Sequence, residues 1–351
     1  MPASSPKPRE ISFTTRVLEI AQRLPLFLSP DRQPFVICPT SATATPINAE
    51  AFYAWLTFAA EKQLGSLPSP QQIGRVIRQL DNQAHTTATQ EIVHTRTAKI
   101  ATKTYQIDLG LPDHSTVEVT GKQWRVSQFL DARFQRLETS DPLPIPEPSL
   151  AKLHKYFELM YGITEKEAHK LAQWLGQAML PDQKPPILVI TGEARDEAVA
   201  QLRTFIDPAF HATIYLPTNR KELAQQAIDN RVLAYEIDDK LPEQKIKDFN
   251  KLRQGMDARL RHASRKSAPI YTRLHRPIIF SAEKAIKISN QQLTIEINKT
   301  RPVEHAEILG PILDVVVEIV GQPIAYPEPL TMKVASPQLQ QPNEPEHPDT
   351  S

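Results

Sequence analysis

The sequence predicts an α/β protein in two folded parts, a small α+β module followed by a domain built on a mostly parallel, five-stranded sheet. Three observations predict it. Apolar strand-like runs occur at 187–190, 212–216, 232–235, 277–280 and 293–297; those at 187–190, 232–235 and 277–280 are apolar at successive positions, as strands covered on both faces are, and helical patterns separate the first three. Upstream, after His85, "EIVHTRTAKI", "KTYQIDLGL", "STVEVT" and "KQWRVSQF" alternate with period two, the pattern of a small antiparallel sheet. Proline-rich stretches, including "DPLPIPEP", divide the chain, because proline favours extended backbone and donates no hydrogen bond.

Each part can be read in order. Residues 1–34 are expected as a flexible leader and 35–138 as the module. The module opens with an apolar strand at 35–37, then two helices, "NAEAFYAWLTFAAEKQL" capped by Asn48 and "SPQQIGRVIRQLDNQA" with Ser69 as N-cap and Pro70 in the first turn. Helices followed by a small sheet give an outline that a winged helix shares. Residues 139–148 form the linker and 149–320 the α/β domain. There "TEKEAHKLAQWLGQAML" begins with a capping box, Thr164 and Glu167, and carries Ala168, Leu171, Ala172, Leu175 and Met179 as one apolar stripe. Further helices are expected at 197–205, 221–228 and 243–254, and the biased tail 321–351 as disordered.

Composition removes several function classes. Lys plus Arg total 41 against 40 Asp plus Glu, so attraction to nucleic acid must come from local clustering. A single cysteine, Cys38, excludes an intramolecular disulfide and a multi-cysteine zinc site and fits the reducing cytoplasm. No apolar run reaches the roughly 20 residues that span a bilayer, and the N-terminal stretch is too polar and proline-broken for a signal peptide, so no membrane partner is expected. His-Glu-x-x-His, Gly-x-Ser-x-Gly and G-x-G-x-x-G after a strand are all absent. The histidines, among them His154, His169, His211 and His275, are scattered and read as core-edge or surface residues, so neither a metal nor a cofactor is expected.

From Phe35 to Val320 the chain resembles the P-loop ATPase domains of primase-helicase-like proteins carried by bacterial phages, plasmids and chromosomal islands. The residues that carry the likeness are "EAFYAWLTFAAEKQLGSLPSPQQIGRVIRQLDNQA", "RTAKIATKTYQIDLGLPDHSTVEVTGKQWRV", "ILVITGE", "LRTFIDP", "NRVLAYEIDD" and "HRPIIFSA", in that order. The resemblance implies a P-loop NTPase-like sheet of the AAA+/helicase type behind an accessory module. It also implies a Gly-Lys-Ser/Thr loop after "TGE", whose backbone amides wrap phosphates while the lysine and hydroxyl hold the outer phosphates and magnesium.

That loop is missing. Gly192 and Glu193 are present, but Ala194, Arg195, Asp196 and Glu197 follow, and no lysine appears before Lys221. Acids stand where the phosphate charge would lie, at a helix N-terminus that favours them. Arg195 is expected to pair with these acids rather than replace the lysine. The position implied for a magnesium-organising acid is Glu236, with Asp238 and Asp239 beyond; these also suit solvated acids at a strand end. Ser281 stands for the usual polar residue after the fourth strand, and Asn290 and Gln291 for the Asp-Arg pair before the last. Hydrolysis is not expected, and these positions are read as degenerate remnants.

One stretch concentrates charge. "KLRQGMDARLRHASRKSAPIYTRLHR" offers Arg253, Arg259, Arg261, Arg265, Lys266 and Arg273 against the single acid Asp257, with Tyr271 able to stack on a base or to pack. Such stretches neutralise phosphates with little sequence preference. Nucleic acid is the expected partner, DNA rather than RNA, with solvated loop and acidic protein surface as alternatives. A second possible reader is the helix carrying Gln71, Gln72, Arg75 and Arg78. Three functions remain open: a non-hydrolysing, ATPase-like scaffold that binds nucleic acid in replication, maintenance or interference of a mobile element; a regulatory subunit of an active ATPase ring, in a homo- or hetero-oligomer; and an enzyme with an unorthodox site.

Overall fold

A computed structural model describes residues 12–30, 32–39, 42–136, 141–208, 215–237, 241–259 and 271–321. The described residues open with α1 (Phe13–Ala21), capped by the Ser12 hydroxyl, which accepts from the Thr15 amide at 3.2 Å. Then come β1 (Leu26–Leu28), β2 (Pro34–Ile37), β3 (Ala44–Pro46), α2 (Glu50–Leu64), α3 (Pro70–Thr87) and β4 (Thr89–Gln90). These four strands form one sheet in the order β3-β2-β1-β4. The expected leader thus contains α1 and β1: Val17, Ile20 and Leu24 recur at helical spacing and bury against Phe52, Leu56, Ile73 and Leu80 of α2 and α3. Ser69 and Gln72 form a reciprocal capping box on α3, whereas α2 is capped at Ala49 without a side-chain bond, so Asn48 does not serve.

The next strands are β5 (Val93–His94), β6 (Thr97–Ala101), β7 (Thr104–Asp108), β8 (Thr116–Thr120), β9 (Trp124–Ser127) and β10 (Arg133–Phe134). Strands β6 to β9 make the expected antiparallel meander, and β10 pairs with β5. The remaining elements are α4 (Leu153–Tyr161), α5 (Glu165–Met179), β11 (Ile187–Thr191), α6 (Arg195–Ile206), α7 (Arg220–Asp229), β12 (Leu233–Ile237), α8 (Glu243–Gln254), β13 (Met256–Arg259), β14 (Tyr271–Leu274), β15 (Ile278–Ala282), β16 (Gln292–Glu296) and α9 (His305–Gly321).

Strands β12, β15, β11 and β16 lie side by side in that order, all parallel, so the described residues contain a four-stranded parallel sheet. Of the expected fifth strand, 212–214 lie outside the described residues, and Tyr215 and Leu216 are not in a strand. Alternation explains the layers. Leu188, Ile190, Ala234, Ile279 and Ile295 face a core shared with α5, α6 and α9, while Ile187, Val189, Leu233, Tyr235, Ile278 and Phe280 face α7 and α8.

The meander belongs to the first of these cores. Tyr105, Ile107, Val117 and Val119 pack with α4, α5 and α9, and Trp124 Nε1 donates to Asp314 at 3.0 Å. Helices α1 to α3 keep a separate core, so residues between 35 and 138 contribute to two cores. The proline stretch is likewise bound along the body. Leu143 is fully buried with its amide donating to Leu109 O at 2.7 Å, and Asp141 N donates to Pro208 O at 2.8 Å. No helix among the described residues is long and apolar enough to cross a membrane.

Candidate functional site

The chain leaves β11 for β12, two places to one side, returns to β15 between them, and ends on β16 at the other side. In open α/β sheets, ligands sit at the carboxyl ends of strands where the order reverses, which here is the turn from β11 into α6. Register aligns Ile190, Ser281 and Glu236 in one row, so three of the sequence-predicted positions meet at this end of the sheet: Gly192 with Glu193, Glu236, and Ser281.

The turn is closed from within. Gly192 adopts φ +101°, a left-handed conformation natural only to glycine, and a Cβ there would run into the Ile297 carbonyl and approach Asn298 Oδ1 to 2.6 Å. After β16 the chain wraps over the turn: Ile297 N donates to Thr191 O at 2.7 Å, and Ala194 N donates to Ile297 O at 3.1 Å. Glu193 N donates to Asn298 Oδ1 at 3.1 Å, and Asn298 Nδ2 donates in turn to Glu296 at 3.0 Å. Two amides that a phosphate cradle would use are therefore committed to the protein itself.

Charge completes the closure. Asp196, in the first turn of α6, accepts from Ser281 Oγ, tying the helix start to β15. Arg195 lies with Nε 3.8 Å from Asp196 Oδ1 and Nη1 3.5 Å from Gly192 O. Glu193, Glu236 and Glu296 are exposed at the same end. The partial positive charge of the helix start is answered by Asp196 and Glu197. The arrangement can hold a rigid turn; it offers an incoming polyphosphate acids in place of free amides.

Asn290 and Gln291 lie elsewhere. They precede β16, whose first residue pairs with Ile187, so they sit at the amino end of the sheet, five or more strand residues from the Gly192 turn, roughly 17 Å or more at about 3.3 Å per residue. Asp238 and Asp239 are outside the described residues. Sequence reading missed Ile297 and Asn298, because the contact that matters joins residues over a hundred positions apart.

The basic stretch contains a hairpin, β13 with β14, in which Arg259 pairs with Tyr271 and Asp257 with Arg273 in the backbone register. Arg261, Arg265 and Lys266, between these strands, are outside the described residues. Arg253 separates from the group. It ends α8 at 6% exposure, donates to Gln291 Oε1 and to Lys184 O at 3.4 Å, and burial holds its guanidinium below the ordinary arginine value. Its Nε is buried without a partner. Arg253 thus fastens α8 to the residues before β16 and β11. On α3, Arg75 and Arg78 are exposed, and Gln72 is engaged in the capping box.

The histidines are less scattered than the sequence suggests. His154 on α4 and His169 on α5 stack at 3.8 Å between ring centroids, beside Glu165. The spacing of Glu165 and His169, four apart on one helix, was the available signal.

No family model matches this sequence, and no curated protein matches it. Among solved structures the chain is similar to one described as the A form apo structure of the NrS-1 C-terminal region, with TM-score 0.42 and 9% identity over 90% of this chain and 70% of that one. A second, the same region spanning 305–718, gives TM-score 0.42 and 8% identity over 88% and 69%. Likeness at this distance carries no functional argument.

Proposed function

We propose that the protein is a non-hydrolysing, ATPase-like scaffold that binds nucleic acid, DNA before RNA, through the β13–β14 hairpin, and that it acts in replication, maintenance or interference of a mobile genetic element. The observation that supports this reading is the closed turn: at the carboxyl end of a parallel sheet of four described strands, where open α/β sheets take ligands, the Ile297–Asn298 segment accepts from the amides of Glu193 and Ala194. The hairpin supplies the other half, since Arg259, Arg261, Arg265, Lys266 and Arg273 cluster within 15 positions and Tyr271 pairs with Arg259. Cationic loops of this kind release counterions on binding, so affinity falls steeply with salt.

The test is binding of single-stranded and duplex oligonucleotides across a salt series. The proposal expects saturable binding at low salt, with log K falling linearly in log salt and the slope reduced in an Arg259→Ala/Arg273→Ala variant. Absence of binding at low salt favours the other reading, a regulatory subunit that joins an active ATPase ring, which co-purification with an ATPase would support.

A further inference from the structure

We infer that His154, Glu165 and His169 form a divalent transition-metal site, of the chemistry that takes Zn2+, across the α4–α5 hairpin. One ligand atom from each residue lies within 4.8 Å of the other two. Two imidazoles and a carboxylate are borderline donors suited to zinc, and three protein ligands leave a fourth position to water.

The second observation is the tautomer. His169 Nδ1 lies 2.9 Å from the Glu165 backbone carbonyl, one helical turn back. That carbonyl can only accept, so Nδ1 carries the proton and the Nε2 lone pair is free. Metal-bound histidines are oriented in this way, with the non-ligating nitrogen donating to a carbonyl or carboxylate.

The scaffold is firm. His154 follows Leu153, which is buried, and Phe157, Ala168, Leu171 and Ala172 bury the inner faces of both helices. Thr164 and Glu167 lock the start of α5 with a capping box, which fixes Glu165 beside it. The rings now stack with planes 20° apart, and zinc bonds of about 2.0–2.1 Å need donors roughly 3.3 Å from one another. Side-chain rotation on the solvent side brings the lone pairs together without moving either helix. The competing cation is Lys155, with Nζ 3.3 Å from Glu165 Oε1 and 2.9 Å from Glu158 Oε1; metal binding displaces it from Glu165 and leaves it with Glu158.

The test is calorimetric titration of the full chain, free of any added histidine tag, with Zn2+ alone. The expected result is about one equivalent bound with Kd in the micromolar range or tighter, a higher melting temperature with Zn2+, and at least tenfold weaker binding in both His154→Ala and His169→Ala. Glu165→Gln, which leaves both rings in place, is expected to weaken binding and to remove the thermal shift. Circular dichroism checks that the variants fold, and Glu165→Gln decides the matter if a histidine variant does not. No saturable uptake below about 100 μM, or uptake unchanged to within tenfold in the folded variants, overturns the site.

Discussion

The backbone amide of Ala194 donates to the carbonyl of Ile297 at 3.1 Å, so the segment after β16 occupies the turn after β11. Because Gly192 permits this approach, Gly192→Ala is expected to destabilise the fold by about 2–3 kcal/mol, combining a left-handed backbone with a blocked contact. Urea denaturation measures it. A loss below about 0.5 kcal/mol would mean that Ile297 does not hold the turn.

Arg96 and Asp207 form a buried ion pair at 2.8 Å, 6% and 3% exposed, between the meander side and the end of α6. Arg96 also donates to the carbonyls of Asp108 at 3.2 Å and Asp141 at 2.7 Å, pinning the proline stretch. Asp207→Ala is expected to cost about 3–5 kcal/mol, since it strands a buried guanidinium. The Arg96→Met/Asp207→Ala double variant should cost less than the Arg96→Met and Asp207→Ala losses combined. Strict additivity in a double-mutant cycle would show that the pair is not coupled.

Burial pushes His305 down to about 4, with Arg96 adding to it, and burial with Arg231 and Arg276 pushes His275 down to about 4. In the unfolded chain both titrate near 6.5. Above that pH neither contributes. Between roughly 6.5 and 4 the unfolded state binds more protons, so stability falls as pH falls, by up to about 1.4 kcal/mol per pH unit for each histidine. His305→Gln and His275→Gln should each flatten the profile in this window. Stability curves of unchanged slope in both variants would contradict the assignment.

Arg253 and the hairpin arginines predict opposite phenotypes. Arg253→Ala should destabilise by about 1–3 kcal/mol, because Gln291 and the Lys184 carbonyl lose a buried donor. Arg259→Ala/Arg261→Ala/Arg265→Ala should leave the melting temperature within a few degrees while weakening oligonucleotide binding and its salt dependence. Thermal melts and salt-dependent binding on both variants separate the roles; loss of DNA binding with Arg253→Ala at full stability would reverse the assignment.

Much of this architecture was legible in sequence where local rules decide. Ser69 with Gln72 and Thr164 with Glu167 announced α3 and α5, and the apolar runs at 187–190, 232–235, 277–280 and 293–297 became β11, β12, β15 and β16. Helix α9 was not legible, because "HAEILGPILDVVVEIVG" is apolar on most sides and carries Pro311 inside, so it shows no amphipathic stripe. The meander's attachment to α9 was equally hidden, since alternation says that a strand has a covered face but not what covers it. At the candidate site the loss of the phosphate loop could be read directly from "GEARDEAV", whereas its closure by Ile297 and Asn298 depends on which strand ends beside β11. The same limit placed Asn290 and Gln291 in the site by resemblance, although register puts them at the other end of the sheet.

The most direct measurement is calorimetric titration of the full chain with ATP and Mg2+. The closed turn predicts no saturable heat up to about 1 mM nucleotide. Micromolar, magnesium-dependent binding that is abolished by substitution between Gly192 and Val199 would contradict it.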